Sequence, residues 1–175
     1  MLCHVFAVLG MKPSVVRHED FTPGVFDDYD LAVVGPGPGD PRDESSPKIA
    51  RFRQAVDGLL ASGKPFLAVC LGHQVLCDRI GIPLAYKDIV FQGTQSTVSL
   101  GGRPEAVGFY NTFVGREPEV LPDGVRVVAD PATGDIHLVA GPHFRGVQFH
   151  AESILTENGV AILRELLLEL LGPGA

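Results

Sequence analysis

Hydrophobic residues along this chain fall either into short unbroken runs or into longer stretches with helical spacing. Alternation of the two is the pattern of an α/β protein, in which buried strands are covered by packed helices. Met1 to Gly10 (MLCHVFAVLG) is apolar with no breaker before Gly10 and reads as a helix closed by a glycine cap. Val15-Val16-Arg17 begins a short strand, and Phe21 to Asp30 is loop-like, rich in Asp around Pro23-Gly24. Asp30 to Val34 is a second, buried strand. Ser46 caps the next helix and Pro47 opens it. Its Ile49, Phe52, Ala55, Val56, Leu59 and Leu60 recur at i, i+3, i+4 spacing, leaving Arg51, Arg53 and Gln54 for the solvated face. Phe66 to Val69, directly after Gly63-Lys64-Pro65, is another buried strand, and Gln74 to Ile80 is helical up to Gly81. The pattern then turns to β. Strands are predicted at Pro83–Tyr86, Thr94–Leu100, Ala106–Tyr110, Val125–Ala129, Ile136–Ala140 and Phe144–Phe149, before an amphipathic helix from Glu157 to Leu171.

Three junctions between these elements carry chemistry. The first is Gly35-Pro36-Gly37-Pro38-Gly39-Asp40-Pro41, straight after a buried strand. Alternating Pro and Gly fix some φ angles and free others, so such a loop aims backbone amides, and the strand end is where α/β folds build sites. Phosphate binding fits it poorly, because the helix comes late and no Lys-Ser/Thr follows. The second is Cys70, set between a buried strand and a helix N-terminus, with small residues Ala68 and Gly72 two positions to either side. That is the layout of a nucleophile elbow with sulfur in place of hydroxyl, although a buried free cysteine at a strand end is the commoner fate of a lone Cys. The third is His150-Ala151-Glu152 at the end of the last strand. In extended chain the i, i+2 spacing places both side chains on one face, a base with its orienting carboxylate.

Composition narrows the setting. A length of 175 residues predicts one domain with its own core. The net charge of -7 argues against nucleic acid or an anionic membrane as partner. Three cysteines (Cys3, Cys70, Cys77) without a CxxC or a His cluster imply free thiols, a reducing compartment and no structural metal. No apolar run reaches transmembrane length, so a cytoplasmic location is expected.

Gly37-Pro38-Gly39-Asp40-Pro41, Cys70-Leu71-Gly72-His73-Gln74 and Gln148-Phe149-His150-Ala151-Glu152-Ser153, in this order and spacing, make the chain resemble the class I (triad-type) glutamine amidotransferases over nearly its whole length. The resemblance implies an open, mostly parallel, doubly wound sheet of the flavodoxin-like kind with an additional small β region. It also implies a glutaminase passing ammonia to a partner synthase or fused domain. Gln148 to Leu155 (QFHAESIL) is similar to the anthranilate synthase form. Phe91-Gln92-Gly93 and Tyr110-Asn111-Thr112-Phe113 lean toward phenazine-type aminodeoxyisochorismate synthases, and Ala151 stands where the family usually has Pro.

What the resemblance implies residue by residue is a triad of Cys70, His150 and Glu152, with an oxyanion hole from the N–H groups of Gly37 and Leu71. L-Glutamine would be held by the loop Gly37, Pro38 and Gly39, by Gln74, and by the backbone of Thr112 and Phe113, with Gln92 a weaker candidate. No cofactor is implied in this domain, since Mg2+ belongs to a chorismate-binding partner. Other acceptors, in aminodeoxychorismate or carbamoyl phosphate synthesis, and a non-catalytic assembly role are the alternatives. Family members normally begin with a strand before the first helix, whereas here Met1 already lies in that helix. The expectation is a late start or an excised piece of a longer protein, with unpaired backbone on the neighbours of the missing strand, or a sheet completed in another way.

Overall fold

A computed structural model of the chain describes residues 1–172. In chain order its elements are α1 (Leu2–Val8), a 3-10 turn (His18–Asp20), β1 (Ala32–Val34), α2 (Pro47–Ser62), β2 (Phe66–Val69) and α3 (Leu71–Arg79). There follow β3 (Leu84–Tyr86), β4 (Thr94–Leu100), β5 (Arg103–Phe109), β6 (Phe113–Gly115), β7 (Arg126–Ala129), β8 (Ile136–Ala140), β9 (Phe144–Val147) and α4 (Gly159–Leu171). The main sheet has the order β1-β2-β9-β8-β7 and is open. β1, β2 and β9 run parallel, while β8 and β7 continue antiparallel, so the sheet is mixed. β3 pairs with β6 and β4 with β5 in two small antiparallel ribbons, the expected additional β region.

β2 is an interior strand between β1 and β9, and its sequence shows why. All four of its residues are at most 1% exposed, as a strand covered on both faces requires. Phe66 and Ala68 pack with Ile49, Val56, Leu59, Val75 and Leu76 of α2 and α3. Leu67 and Val69 pack on the other face with Phe6 of α1 and Ile162, Leu163 and Leu166 of α4. Burial of each such large side chain contributes roughly 1.5–3 kcal/mol. Parallel register pairs Val34 with Ala68 and Val69 with Val147, which brings three strand C-termini to one edge. The Gly-Pro loop, Cys70 and the His150 segment all emerge there. Helix α2 forms as read: Ser46 Oγ accepts from the Ile49 N–H at 3.4 Å, and Pro47 occupies the first turn.

Several expectations are corrected. Val15-Val16-Arg17 is not a strand; Val15 is 72% exposed. Among the described residues β1 pairs only with β2, and nothing lies beside the Val15 segment to form a ladder. A valine run becomes a strand only where pairing and burial reward it. β5 begins at Arg103 because the Gly101-Gly102 turn pairs Leu100 directly with Arg103. β6 was not predicted; its run is too short to show a period. β9 ends at Val147 because the next residues leave its ladder, the Gln148 N–H donating to the His137 carbonyl and the His150 N–H to the Gly108 carbonyl, both at 2.9 Å. The closing helix starts at Gly159, two residues later than expected, the Glu157 N–H being engaged by the Ala106 carbonyl at 3.2 Å.

Candidate active site

The turn from β2 into α3 is as tight as its small neighbours predict. Cys70 has φ 52°, and it is the one non-glycine residue with positive φ among the described residues. Such a conformation costs on the order of 1–3 kcal/mol and persists only where the surroundings impose it. Here the Cys70 N–H donates to the Val147 carbonyl at 2.9 Å, and the Cys70 carbonyl accepts from the Gln74 N–H at 3.0 Å. A Cβ on Gly72 would lie 2.0 Å from the Val34 carbonyl oxygen, and one on Gly35, whose φ is +90°, would lie 2.3 Å from that of Val69. Backbone therefore touches backbone where β1 crosses the elbow. The Gly-Pro loop is laid across α3 by this crossing, with Gly37 and Gly39 against the Leu71 side chain. From the far side α2 holds the loop by its carbonyls: Lys48 Nζ donates to Pro38 O at 2.5 Å, and Arg53 donates to Pro41 O at 3.1 Å.

His150 and Glu152 meet, but through a turn rather than extended chain, since the Ser153 N–H donates to the His150 carbonyl at 3.1 Å. His150 Nδ1 is 2.9 Å from Glu152 Oε1. The His150 carbonyl also accepts from Thr156 Oγ1 at 2.6 Å, and Thr156 Oγ1 in turn accepts from the Gly108 N–H at 2.9 Å. Tyr110 sets its ring against the imidazole, edge to face with centroids 5.2 Å apart, and its hydroxyl lies 3.0 Å from Ser153 Oγ. Backbone and ring of His150 are thus both fixed.

Electrostatics follow from this arrangement. Burial pulls the His150 imidazole down, but Cys70 and the Glu152 carboxylate outweigh it and hold the ring protonated, up to about 10. Among the described residues His150 Nε2 is buried with no partner in hydrogen-bond geometry, so Cys70 acts on it from nearby rather than through a formed bond. Burial pushes Glu152 up, yet the hydrogen bond from His150 leaves it below the ordinary carboxylate value. The other buried groups behave oppositely. Desolvation lowers His73 to about 4, and burial pushes the Cys77 thiol up. These two stand 3.7 Å apart as a neutral core pair.

Opposite the Gly-Pro loop stands a second wall. Gln74 Nε2 donates to the Phe113 carbonyl at 2.7 Å and to Gln148 Oε1 at 3.1 Å, and Asn111 Nδ2 donates to the same Phe113 carbonyl at 2.9 Å. The Thr112 carbonyl is engaged by the Lys87 N–H at 2.9 Å.

A thiol on a strained strand–helix turn, an imidazole–carboxylate pair and a glycine-rich loop thus converge at one sheet edge. The profile of the family described as "Glutamine amidotransferase class-I" matches residues 1–170. The chain belongs to that family. A phenazine-specific anthranilate synthase of Pseudomonas chlororaphis is 44% identical over 172 residues, covering 95% of this chain and 27% of that protein. One from Pseudomonas fluorescens is 46% identical over 147 residues, covering 81% and 23%. The chain therefore spans about a quarter of the length of these relatives. The aminodeoxychorismate synthase component 2 of Klebsiella aerogenes is 34% identical over 179 residues, covering 95% of this chain and 91% of that protein. Among solved structures, a glutamine amidotransferase from Thermotoga maritima superimposes with a TM-score of 0.70 at 17% identity, covering 89% of this chain and 84% of that one, a likeness of fold.

Of the expected residues, Gly37, Pro38 and Gly39 follow β1, Cys70 and Leu71 follow β2, and His150 and Glu152 follow β9, while Gln74 lies within α3 and reaches Phe113 of β6, next to Thr112. Gln92 is exposed and turns up in no hydrogen bond among the described residues. Sequence reasoning missed Tyr110, Asn111, Thr156 and the buried Gln148 as supports of the site. All four stand inside or just beyond the quoted motifs, and that nearness was the available signal. Among the described residues no cluster of three His, Cys, Asp or Glu side chains is placed to hold a metal ion. No helix there is long and apolar enough to cross a membrane.

Proposed function

We propose that the chain acts as a single glutaminase domain in which Cys70, His150 and Glu152 hydrolyse L-glutamine and release ammonia. The observation carrying this reading is the His150–Glu152 contact of 2.9 Å, with His150 Nε2 left without a partner among the described residues, beside the elbow that bears Cys70. The Cys70 thiolate attacks the side-chain amide carbon, and a C–S bond forms as the carbonyl oxygen becomes an oxyanion. The N–H groups of Gly37 and Leu71 hold that oxygen, a kind of contact whose removal typically costs roughly 3–4 kcal/mol per donor. Leu71 sits in the first turn of α3, where backbone donors lack helical partners. The C–N bond breaks as His150 gives its proton to the leaving nitrogen. His150 then takes a proton from water, which cleaves the γ-glutamyl thioester and frees glutamate.

Glutamine is held by Gly37, Pro38 and Gly39 on one side and by Gln74, Thr112 and Phe113 on the other. Gln74 uses its amide nitrogen on Phe113 and Gln148, which leaves its oxygen to accept from the α-ammonium group. The ammonia acceptor is a chorismate-aminating synthase of anthranilate or aminodeoxyisochorismate type, either a separate chain or a fused domain, in the cytoplasm. Identity of 44% to a phenazine-specific anthranilate synthase supports this acceptor. An aminodeoxychorismate acceptor is the second reading, supported by a relative of nearly the same length as the chain. The test is glutamate release from glutamine by the full-length protein. Cys70→Ala is expected to abolish it, and His150→Ala to lower it by about a thousandfold or more. Undiminished release by Cys70→Ala would sink the proposal.

A further inference from the structure

We propose that Arg42 is a positioning residue that ties the two walls of the glutamine pocket together through the ring of Phe113. The inference rests on the glutaminase reading and on the Thr112–Phe113 backbone being one of those walls.

Phe113 is gripped from two sides. Inside, its carbonyl accepts from Gln74 at 2.7 Å and Asn111 at 2.9 Å. Outside, the guanidinium carbon of Arg42 lies 4.5 Å from the centroid of its ring, and Tyr86 meets the ring edge-on at 5.5 Å. Arg42 leaves the Gly-Pro loop just after Pro41, so this contact joins the loop that would bear the oxyanion to the strand that would bear the substrate backbone. Its aim is set by Asp40. Arg42 Nε and Nη2 donate to the two carboxylate oxygens at 3.0 Å each, and the Arg42 backbone N–H donates to Asp40 Oδ1 at 2.9 Å. A planar fork can fill both oxygens of Asp40 while its face lies on an aromatic ring. A lysine ammonium cannot do both.

The side chains of Asp40 and Arg42 are 37% and 47% exposed, so the pair adds little to global stability. Its consequence is local. Without Arg42 the Phe113 wall keeps its inner hydrogen bonds, but it is joined to the Gly-Pro loop only through α3, and substrate is bound less well.

The experiment measures alkylation of Cys70 by iodoacetamide in the full-length protein, with glutamine as protectant, together with KM and kcat for glutamine. Arg42→Ala is expected to raise both KM and the glutamine concentration giving half protection by about 3- to 10-fold. The alkylation rate without glutamine stays as in wild type. Arg42→Lys is expected to resemble Arg42→Ala, and Phe113→Leu to give the same shift, with no further shift when it is combined with Arg42→Ala. An unchanged half-protection concentration in Arg42→Ala, or additive effects in the double variant, would overturn the role of Arg42. Wild-type protein that glutamine does not protect at all would overturn the glutaminase reading instead.

Discussion

In the proposed glutaminase His150 is the residue on which the chemistry turns, because it would have to carry a proton when the nitrogen leaves. Burial works against that charge, while Cys70 and the Glu152 carboxylate more than restore it, giving a value of about 10. The acid is therefore loaded across the neutral range. Since this lies above the ordinary 6.5 of an imidazole in the unfolded chain, protonation of His150 contributes stability below about 6.5 and the contribution is lost as pH rises through about 10. Glu152, held below its ordinary 4.5, contributes stability above that value, and this is lost as pH falls through its lowered folded value. Carbon-detected NMR titration of the His150 ring is expected to show protonation well above pH 6.5. Glu152→Gln keeps the shape and removes the charge, so it is expected to bring the His150 titration down. A His150 signal titrating near 6.5 in wild type, or unmoved by Glu152→Gln, would refute this account. The residues of the candidate site could be proposed from the sequence because most sit in a short motif with its own chemistry. Tyr110 and Thr156 were not, since an aromatic ring and a hydroxyl acquire their roles only once β5 folds back onto His150.

At the scale of elements, the elbow depends on the crossing of β1 over the start of α3. Gly72 leaves room there for the Val34 carbonyl, and a methyl group would sit 2.0 Å from its oxygen. No flexible side chain is available to yield. Gly72→Ala is expected to destabilise the domain by more than about 4 kcal/mol. The loss should appear as a lowered thermal midpoint or failure to accumulate as soluble protein. A variant that melts like wild type and hydrolyses glutamine would refute the close crossing. Elements with a strong period or a strong signal were read well: α2 from its apolar stripe and cap, and β2 from its unbroken run between Pro65 and Cys70. Elements defined by a partner were not. Val15-Val16 has the side chains of a strand but, among the described residues, no ladder beside it. β6 is three residues long and exists because it pairs with β3. The ends of β5 and β9 shifted for the same reason, because pairing and departure from it set where a strand begins and stops.

The whole molecule is an open sheet with its chemistry gathered at one edge. Cover from α1 and α4 on one face and from α2 and α3 on the other fixes the strand ends against one another. The fold class was legible because alternation of runs and helical stretches allows few architectures. The turn of β8 and β7 to antiparallel was not, because residue patterns of parallel and antiparallel buried strands are alike. The chain spans about a quarter of its phenazine-specific relatives, and the acceptor of the proposed ammonia is a question for the whole protein. What the proposed reaction asks of this chain is a thiol presented to glutamine. The most direct measurement is intact mass after incubation of the full-length protein with a chloroketone analogue of glutamine, followed by peptide mapping. A single adduct on Cys70 is predicted, absent in Cys70→Ser and suppressed by excess glutamine, while the buried Cys77 remains unmodified. Adducts confined to the exposed Cys3, or labelling of Cys70 that glutamine does not suppress, would contradict a glutamine-binding nucleophile at the elbow.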